Sequence, residues 1–204
     1  MMEATYDHNL AVFGRWIGFW RDRWHSKGEA YSGGVEQTRT IEGIIRGLFS
    51  PKHYYPDAMD FGAGHGRFCE LMSLYCGHIW AADIVDDMLD CYGSKAPTVT
   101  PMKLEWPVKL PLRDDKLDLL WAFFTFQHIV DPTIFQLTTQ ELRRVLKSGS
   151  RILIIDNAVD TANHVRSRGP EALGKALGMK PGFTQVRVTI GNPHDHWLID
   201  GVKA

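Results

Sequence analysis

From residue 57 onward the chain alternates short apolar runs with helical stretches, and that rhythm restricts the possible folds more than any other feature. Residues 58–61, 78–83, 98–104, 117–123 and 151–156 have the length and the apolar, partly β-branched and aromatic content of buried strands. Between the first two runs, residues 67–76 set Phe68, Leu71, Met72 and Tyr75 on one helical face, and residues 134–146 do the same with Phe135, Leu142, Val145 and Leu146. Strands joined by helices cannot pair as hairpins. They form βαβ units with right-handed crossovers, and therefore a parallel sheet with helices packed on its faces. Two further runs, 183–190 and 196–202, are separated by little more than Gly191-Asn192-Pro193, which predicts a hairpin and an antiparallel edge. The expected architecture is α/β: a seven-stranded, mostly parallel sheet closed by a C-terminal antiparallel hairpin.

Before residue 57 the pattern is helical. Trp16, Trp20 and Trp24 recur every fourth residue, and Ile41, Ile44, Ile45, Leu48 and Phe49 follow amphipathic spacing until Ser50-Pro51 ends the run. No repeat or Pro/Gly/Ser linker divides the 204 residues, so the expectation is a single domain over 1–204, with a helical cap in 1–50 and the sheet in 57–204. The net charge of −1 lacks the basic excess with which proteins usually grip a nucleic-acid backbone. Arg15, Arg21, Arg23 and Lys27 surround the tryptophans, but residues 1–50 balance five Arg and one Lys against four Glu and two Asp. A helix packing its tryptophans inward is the favoured reading over a stacking platform for single strands.

The remaining composition narrows the setting. Cys69, Cys76 and Cys91 share no CxxC spacing and read as free packing thiols in a reducing compartment. The first nine residues are polar and acidic, and no apolar run approaches the ~18–20 residues of a membrane span. A cytoplasmic protein without membrane contact is expected. His194-Asp195-His196 places two imidazoles on one strand face, but a polar turn explains them, and no metal site is expected.

The most informative stretch is Asp60-Phe61-Gly62-Ala63-Gly64-His65-Gly66-Arg67-Phe68, at the βα turn where open α/β sheets bind ligands. Glycines there allow positive φ and a close ligand approach, and the amides of the following helix favour an anionic group such as a carboxylate. The spacing is GxGxG rather than the dinucleotide GxGxxG, with Asp60 two residues ahead. A carboxylate in that place repels a pyrophosphate and attracts an ammonium. Adenosylmethionine carries an α-carboxylate and an α-ammonium and no phosphate, so it suits the turn better than NAD does. Asp83, at the end of the second strand, can accept from both ribose hydroxyls, although dinucleotide folds place an acid at a similar distance.

Together with the strands and helices downstream of it, this turn resembles the first motif of the class I S-adenosylmethionine-dependent methyltransferases, particularly the small UbiE-like or "methyltransferase type 11" group. The resemblance covers roughly residues 57–156 and implies a Rossmann-like fold. It implies that Asp60 binds the cofactor's ammonium, directly or through water, and that Gly62, Ala63, Gly64 and Gly66 line the cofactor, with Asp83 and Ile84 beside the ribose. Leu110-Pro111-Leu112-Arg113-Asp114-Asp115-Lys116-Leu117-Asp118 resembles the family's entry into the fourth strand, upstream of which an acid approaches the adenine. Glu105 or Trp106 falls there, the first able to accept from the adenine amino group and the second to stack on the ring. Leu146-Lys147-Ser148-Gly149-Ser150-Arg151 matches the family's turn before the fifth strand, with serines where Pro and Gly are usual.

Methyl transfer from a sulfonium is an in-line displacement that needs placement and exclusion of water more than covalent help. The acceptor is expected beside the end of the fourth strand, Phe123-Phe124-Thr125-Phe126-Gln127-His128. Phe123 belongs there to the cofactor wall. Phe124 and Gln127, with Trp16 and Trp20, are the expected acceptor contacts, and residues 8–35 the segment that supplies them. His128 is the one titratable group nearby and is the candidate catalytic base, with a helix-start or packing role as the alternative. The expected activity is methyl transfer to a small molecule. RNA or protein as acceptor, a silent cofactor-binding partner subunit and an NAD-dependent oxidoreductase are the alternatives.

Overall fold

The computed structural model describes residues 34–85, 89, 98–105, 108–160, 165–190 and 195–204. The expectations placed on Trp16, Trp20, Trp24, Trp106 and His194 lie outside them. Helix α1 (Gly34–Leu48) leads into strand β1 (Tyr55–Phe61), a short helix α2 (Cys69–Met72), β2 (Cys76–Asp83), β3 (Val99–Lys103) and β4 (Leu117–Phe123). A 3-10 turn (Phe126–His128), helix α3 (Pro132–Val145), β5 (Leu146–Asn157), helix α4 (Pro170–Leu177), β6 (Thr184–Thr189) and β7 (Asp195–Val202) complete the described chain.

The seven strands form one sheet in the order β3-β2-β1-β4-β5-β7-β6. β1 to β5 pair in parallel, with Asp60 opposite both Ala81 of β2 and Trp121 of β4. β7 runs antiparallel between β5 and β6, as the hairpin signal required. The central strands are apolar on both sides because both faces are covered. On one face Ile41, Ile45 and Phe49 pack with Phe68, Met72, Trp121 and Leu153. On the other, Ile134, Leu142 and Val145 of α3 and Leu173 and Leu177 of α4 pack on Met59, Leu120 and Ile154. The chain leaves β1 toward one edge and β4 toward the other, so a crevice opens at the carboxyl ends of these two strands.

Three local expectations change. The helix foreseen over 67–76 shrinks to Cys69–Met72, because Gly66 stands at φ +72 and the chain must already enter β2 at Cys76. Its apolar face is nonetheless buried as foreseen, at Phe68, Leu71, Met72 and Tyr75. The turn read at 147–150 is a bulge inside a twelve-residue β5, since α3 ends at Val145 and the strand begins at Leu146. Gly149, at φ +78, takes the bend while the β4 register shifts between Leu117 and Leu119. Helix α4 occupies the stretch between β5 and β6, for which the sequence reading names no element. Its signals were Pro170 at the first turn, Leu173 and Leu177 four apart, and Gly178 as a left-handed cap at φ +70. No described helix is long and apolar enough to cross a membrane.

Candidate functional site

The glycine turn lies at the mouth of the crevice, and each of its glycines has a conformation that L side chains resist: Gly62 at φ +77, Gly64 at +53 and Gly66 at +72. Gly62 is also pinned by space. A Cβ there would stand 2.2 Å from Thr125 Oγ1, because the segment after β4 crosses directly over the turn. The Thr125 hydroxyl donates to the Phe61 carbonyl at 3.0 Å and so ties the ends of β1 and β4 together.

Amides of the turn face inward, toward acceptors of the protein itself. Gly62 and Ala63 donate to the Ala82 carbonyl at 2.8 and 3.1 Å, and Gly66 donates to the Ala63 carbonyl at 2.9 Å. The Gly64 amide donates to Asp83 Oδ2 at 2.8 Å. Four turn amides are thus satisfied within the protein, and α2 is too short to add a helix dipole of any weight.

The carboxylates dominate what remains. Asp60 is 6% exposed, on the α1 face of β1, with Cys69 Sγ 3.5 Å from its Oδ2. Burial pushes its carboxyl up to about 7, against the lowering effect of hydrogen bonding from Cys69 and of the nearby Trp121 indole, whose Nε1–H nevertheless lacks well-formed partner geometry. The charge of Asp83 raises it further, and Arg67 offsets this only weakly, without an ion pair to Asp60 among the described residues. Asp83 is 7% exposed and accepts from the amides of Gly64 and Val85, at 2.8 and 3.0 Å. Burial raises its carboxyl as well, and those amides hold it down in part.

Other expected residues gather around these two. Ala63 and Ile84 are buried, and Phe123 is half-buried with its ring edge-to-face against Phe68 at 5.3 Å. The Leu104 amide donates to the Asp83 carbonyl at 2.8 Å, which brings the exposed Glu105 alongside the end of β2. On the acceptor side, Phe124 holds φ +59, a conformation costly for a bulky residue, and its ring meets His196 edge-to-face at 5.1 Å. Gln127 is buried, and His128, the last residue of the 3-10 turn, is half-buried. Among the described residues no group of His, Cys, Asp or Glu could hold a metal ion.

Sequence reasoning missed Asp156, Asn157 and Arg168. Asp156, next to last in β5, is 3% exposed, its carboxyl is pushed up to about 8 by burial, and one of its oxygens has no partner. Arg168 donates to the Phe126 carbonyl at 2.8 Å and to that of Ile129, and its guanidinium lies 3.9 Å from the Phe135 ring centroid. Asp156 had a signal, as an acid closing an apolar strand at the ligand end of the sheet. Arg168 had none, because its partners are backbone carbonyls about forty residues away.

A parallel sheet with its crevice at the β1/β4 switch, a positive-φ glycine turn and buried acids near the ends of β1 and β2 define a doubly wound α/β protein with a ligand crevice at its switch point. Residues 59–154, a little under half of the chain and spanning β1 to β5, match a family model described as a methyltransferase domain. Over this stretch the chain is similar to methyltransferase domains. A comparison with curated proteins finds no match.

Solved structures share the fold. A SAM-dependent methyltransferase from Aquifex aeolicus is 22% identical, covering 79% of this chain and 89% of its own, with a TM-score of 0.58. The N-methyltransferase NodS from Bradyrhizobium japonicum, in complex with S-adenosylhomocysteine, is 12% identical, covering 95% and 97%, with a TM-score of 0.69. A complex of DhpI with the same product is 15% identical, covering 96% and 98%, with a TM-score of 0.68.

Proposed function

We propose that the protein transfers a methyl group from S-adenosylmethionine to a small-molecule acceptor, with the cofactor seated on the glycine turn. The observation that carries this reading is the pair of buried carboxylates, Asp60 and Asp83, flanking a turn four of whose amides already have partners. A buried acid without an ion pair is receptive to a cation, and an α-ammonium supplies one to Asp60. Asp83, oriented by the Gly64 and Val85 amides, keeps acceptor capacity for the two ribose hydroxyls. A diphosphate in the same place would meet two carboxylates, with four of the turn amides already engaged, which disfavours a nicotinamide dinucleotide.

S-adenosylmethionine, when bound, supplies a methyl group on a sulfonium sulfur, ready for displacement by a nucleophile. The protein's own part is to bind, orient and keep water out. Gly62, Ala63, Gly64 and Gly66 line the methionine side, and Ile84 and Phe123 wall the nucleoside. Glu105 is assigned to the adenine amino group, and Trp106 is the alternative there. Phe124, held in a strained conformation beside the crevice, belongs to the acceptor wall. Gln37 accepts from Arg67 at 3.0 Å, which sets the first turns of α1 against the glycine turn. That contact supports residues 8–35, Trp16 and Trp20 among them, as acceptor contacts in a cap formed by 1–50 of a single 1–204 domain.

A small amine or hydroxyl is favoured over a nucleic acid because the net charge is −1. NodS, similar in fold, is by name an N-methyltransferase. The free thiols of Cys69 and Cys76 support a reducing, cytoplasmic location. The test is calorimetric titration with S-adenosylmethionine, S-adenosylhomocysteine and NAD, followed by labelled-methyl transfer to a panel of small amines and alcohols. Micromolar binding of the first two, none of NAD, and label in a small product are expected. No binding of either adenosyl compound at millimolar concentration would remove the reading.

A further inference from the structure

The segment after β4 is braced more heavily than a loop needs. The His128 amide donates to the Thr125 carbonyl at 3.0 Å, and the Arg166 amide donates to the Gln127 carbonyl at 2.7 Å. Arg168 holds the carbonyls on either side, of Phe126 and Ile129, while the Gln127 amide supports the carboxyl of Asp156. Within this frame the Gln127 side chain is buried and bonded at both ends. Its Oε1 accepts from the Asn157 amide at 2.8 Å, and its Nε2 lies 3.1 Å from His128 Nε2.

Those two contacts leave one consistent set of protons. A backbone N–H can only donate, so the atom facing Asn157 is the carboxamide oxygen and the atom facing His128 is the NH2 group. An NH2 group can only donate, so His128 Nε2 must accept. It therefore carries a lone pair. A neutral imidazole with a bare Nε2 has its proton on Nδ1, and an imidazolium would set two donors against each other.

We propose that Gln127 is a positioning residue that fixes His128 as a neutral imidazole, with its proton on Nδ1 and its Nε2 lone pair held by the Gln127 amide. The bearing of this on methyl transfer rests on the reading above: His128 can take a proton from an acceptor only at Nε2, and only by displacing Gln127. The side chain foreseen as an acceptor contact thus acts through its neighbour, and His128 is a tethered base or none at all.

Uniformly 15N-labelled full-length protein, studied by long-range proton–nitrogen correlation at pH 7.5, tests the assignment without any turnover. The His128 signals are identified by their loss in His128→Asn. The expected spectrum shows a protonated Nδ1 and a lone-pair Nε2. In Gln127→Glu the facing atom becomes an acceptor, so the proton is expected to move to Nε2. In Gln127→Met the donor is lost with little change of shape, and a mixture of tautomers is expected. A wild-type His128 with its proton on Nε2, or an unchanged tautomer in Gln127→Glu, would overturn the proposal. The wild-type spectrum decides even if the variants fold poorly. Because it is recorded without cofactor, its failure is separate from any failure of the methyltransferase reading.

Discussion

Asp60 sits where the β1 backbone carries it out of water, and its chemistry follows from that placement. Burial keeps its carboxyl protonated up to about pH 7 in the free protein, whereas binding an ammonium requires the charged form. Cofactor affinity is therefore expected to rise about tenfold per pH unit below about 7 and to level off above it, since only the ionised fraction is competent. Isothermal titration across pH 5.5–8.5 reads this directly, and Asp60→Asn should flatten the curve while weakening binding. A wild-type profile without slope would detach Asp60 from the ammonium. Asp83→Ala is a second, independent probe. Losing charge-assisted hydrogen bonds to the ribose should weaken binding by about 1.5–3 kcal/mol, with the fold checked by circular dichroism. Unchanged affinity would move the ribose elsewhere. At Gly62 the argument is steric: Gly62→Ala drives a methyl group into Thr125 at positive φ, and we expect lost stability together with lost binding.

At the scale of elements, Arg151 on β5 is the joint that holds α1 to the sheet. It donates to both oxygens of Asp200 on β7 at 2.8 and 2.7 Å, to the Leu48 carbonyl at 3.2 Å and to the Tyr55 hydroxyl at 3.3 Å, and lies over the Phe49 ring. Removing one partner of a well-buried ion pair costs about 3–5 kcal/mol, and this partly exposed pair should fall at or below the lower end. Arg151→Met should therefore lower the melting temperature by several degrees and Asp200→Asn by less, and equal melting points for wild type and Arg151→Met would contradict the role. None of this clamp was legible in the sequence, since Arg151 reads there only as the polar start of a strand. What was legible has a period. Leu117–Phe123 was read to the residue because its apolar residues, broken only by Asp118, follow directly on the charged stretch Arg113-Asp114-Asp115-Lys116. The places of the glycine turn after β1 and of Asp83 at the end of β2 were legible because the signals for them are local. The tail of β5, Asp156 and Asn157, gains its meaning only from Gln127 and Arg168, which the fold brings in from other elements. The partners of the Gly62, Ala63 and Gly64 amides, Ala82 and Asp83, lie one strand away and were not legible for a similar reason.

For the whole molecule, the buried acids set how stability should vary with pH. Asp60 is held up to about 7 and Asp156 to about 8, and Asp83 is raised as well, each chiefly by burial. An unfolded chain releases these protons near pH 4, at ordinary carboxylate values. Between roughly pH 4 and 8 the folded state therefore binds more protons than the unfolded one, and stability falls as pH rises through that window. Below it the contribution of these groups is complete. Glu141 acts in the opposite sense, because hydrogen bonding from Arg144 holds its carboxyl low and its contribution is lost on acidification. The free protein should thus melt at a lower temperature at pH 8.5 than at pH 6, measured by calorimetry at constant ionic strength. Asp156→Asn, which keeps the shape and removes the charge, should reduce the decline. Saturating S-adenosylhomocysteine should reduce it too, because its ammonium stabilises the ionised form of Asp60 that burial penalises. A melting temperature that is flat or rising from pH 6 to 8.5 in the free protein would mean that these carboxylates are better solvated than their burial indicates, and the case for a cation-seeking Asp60 would go with it.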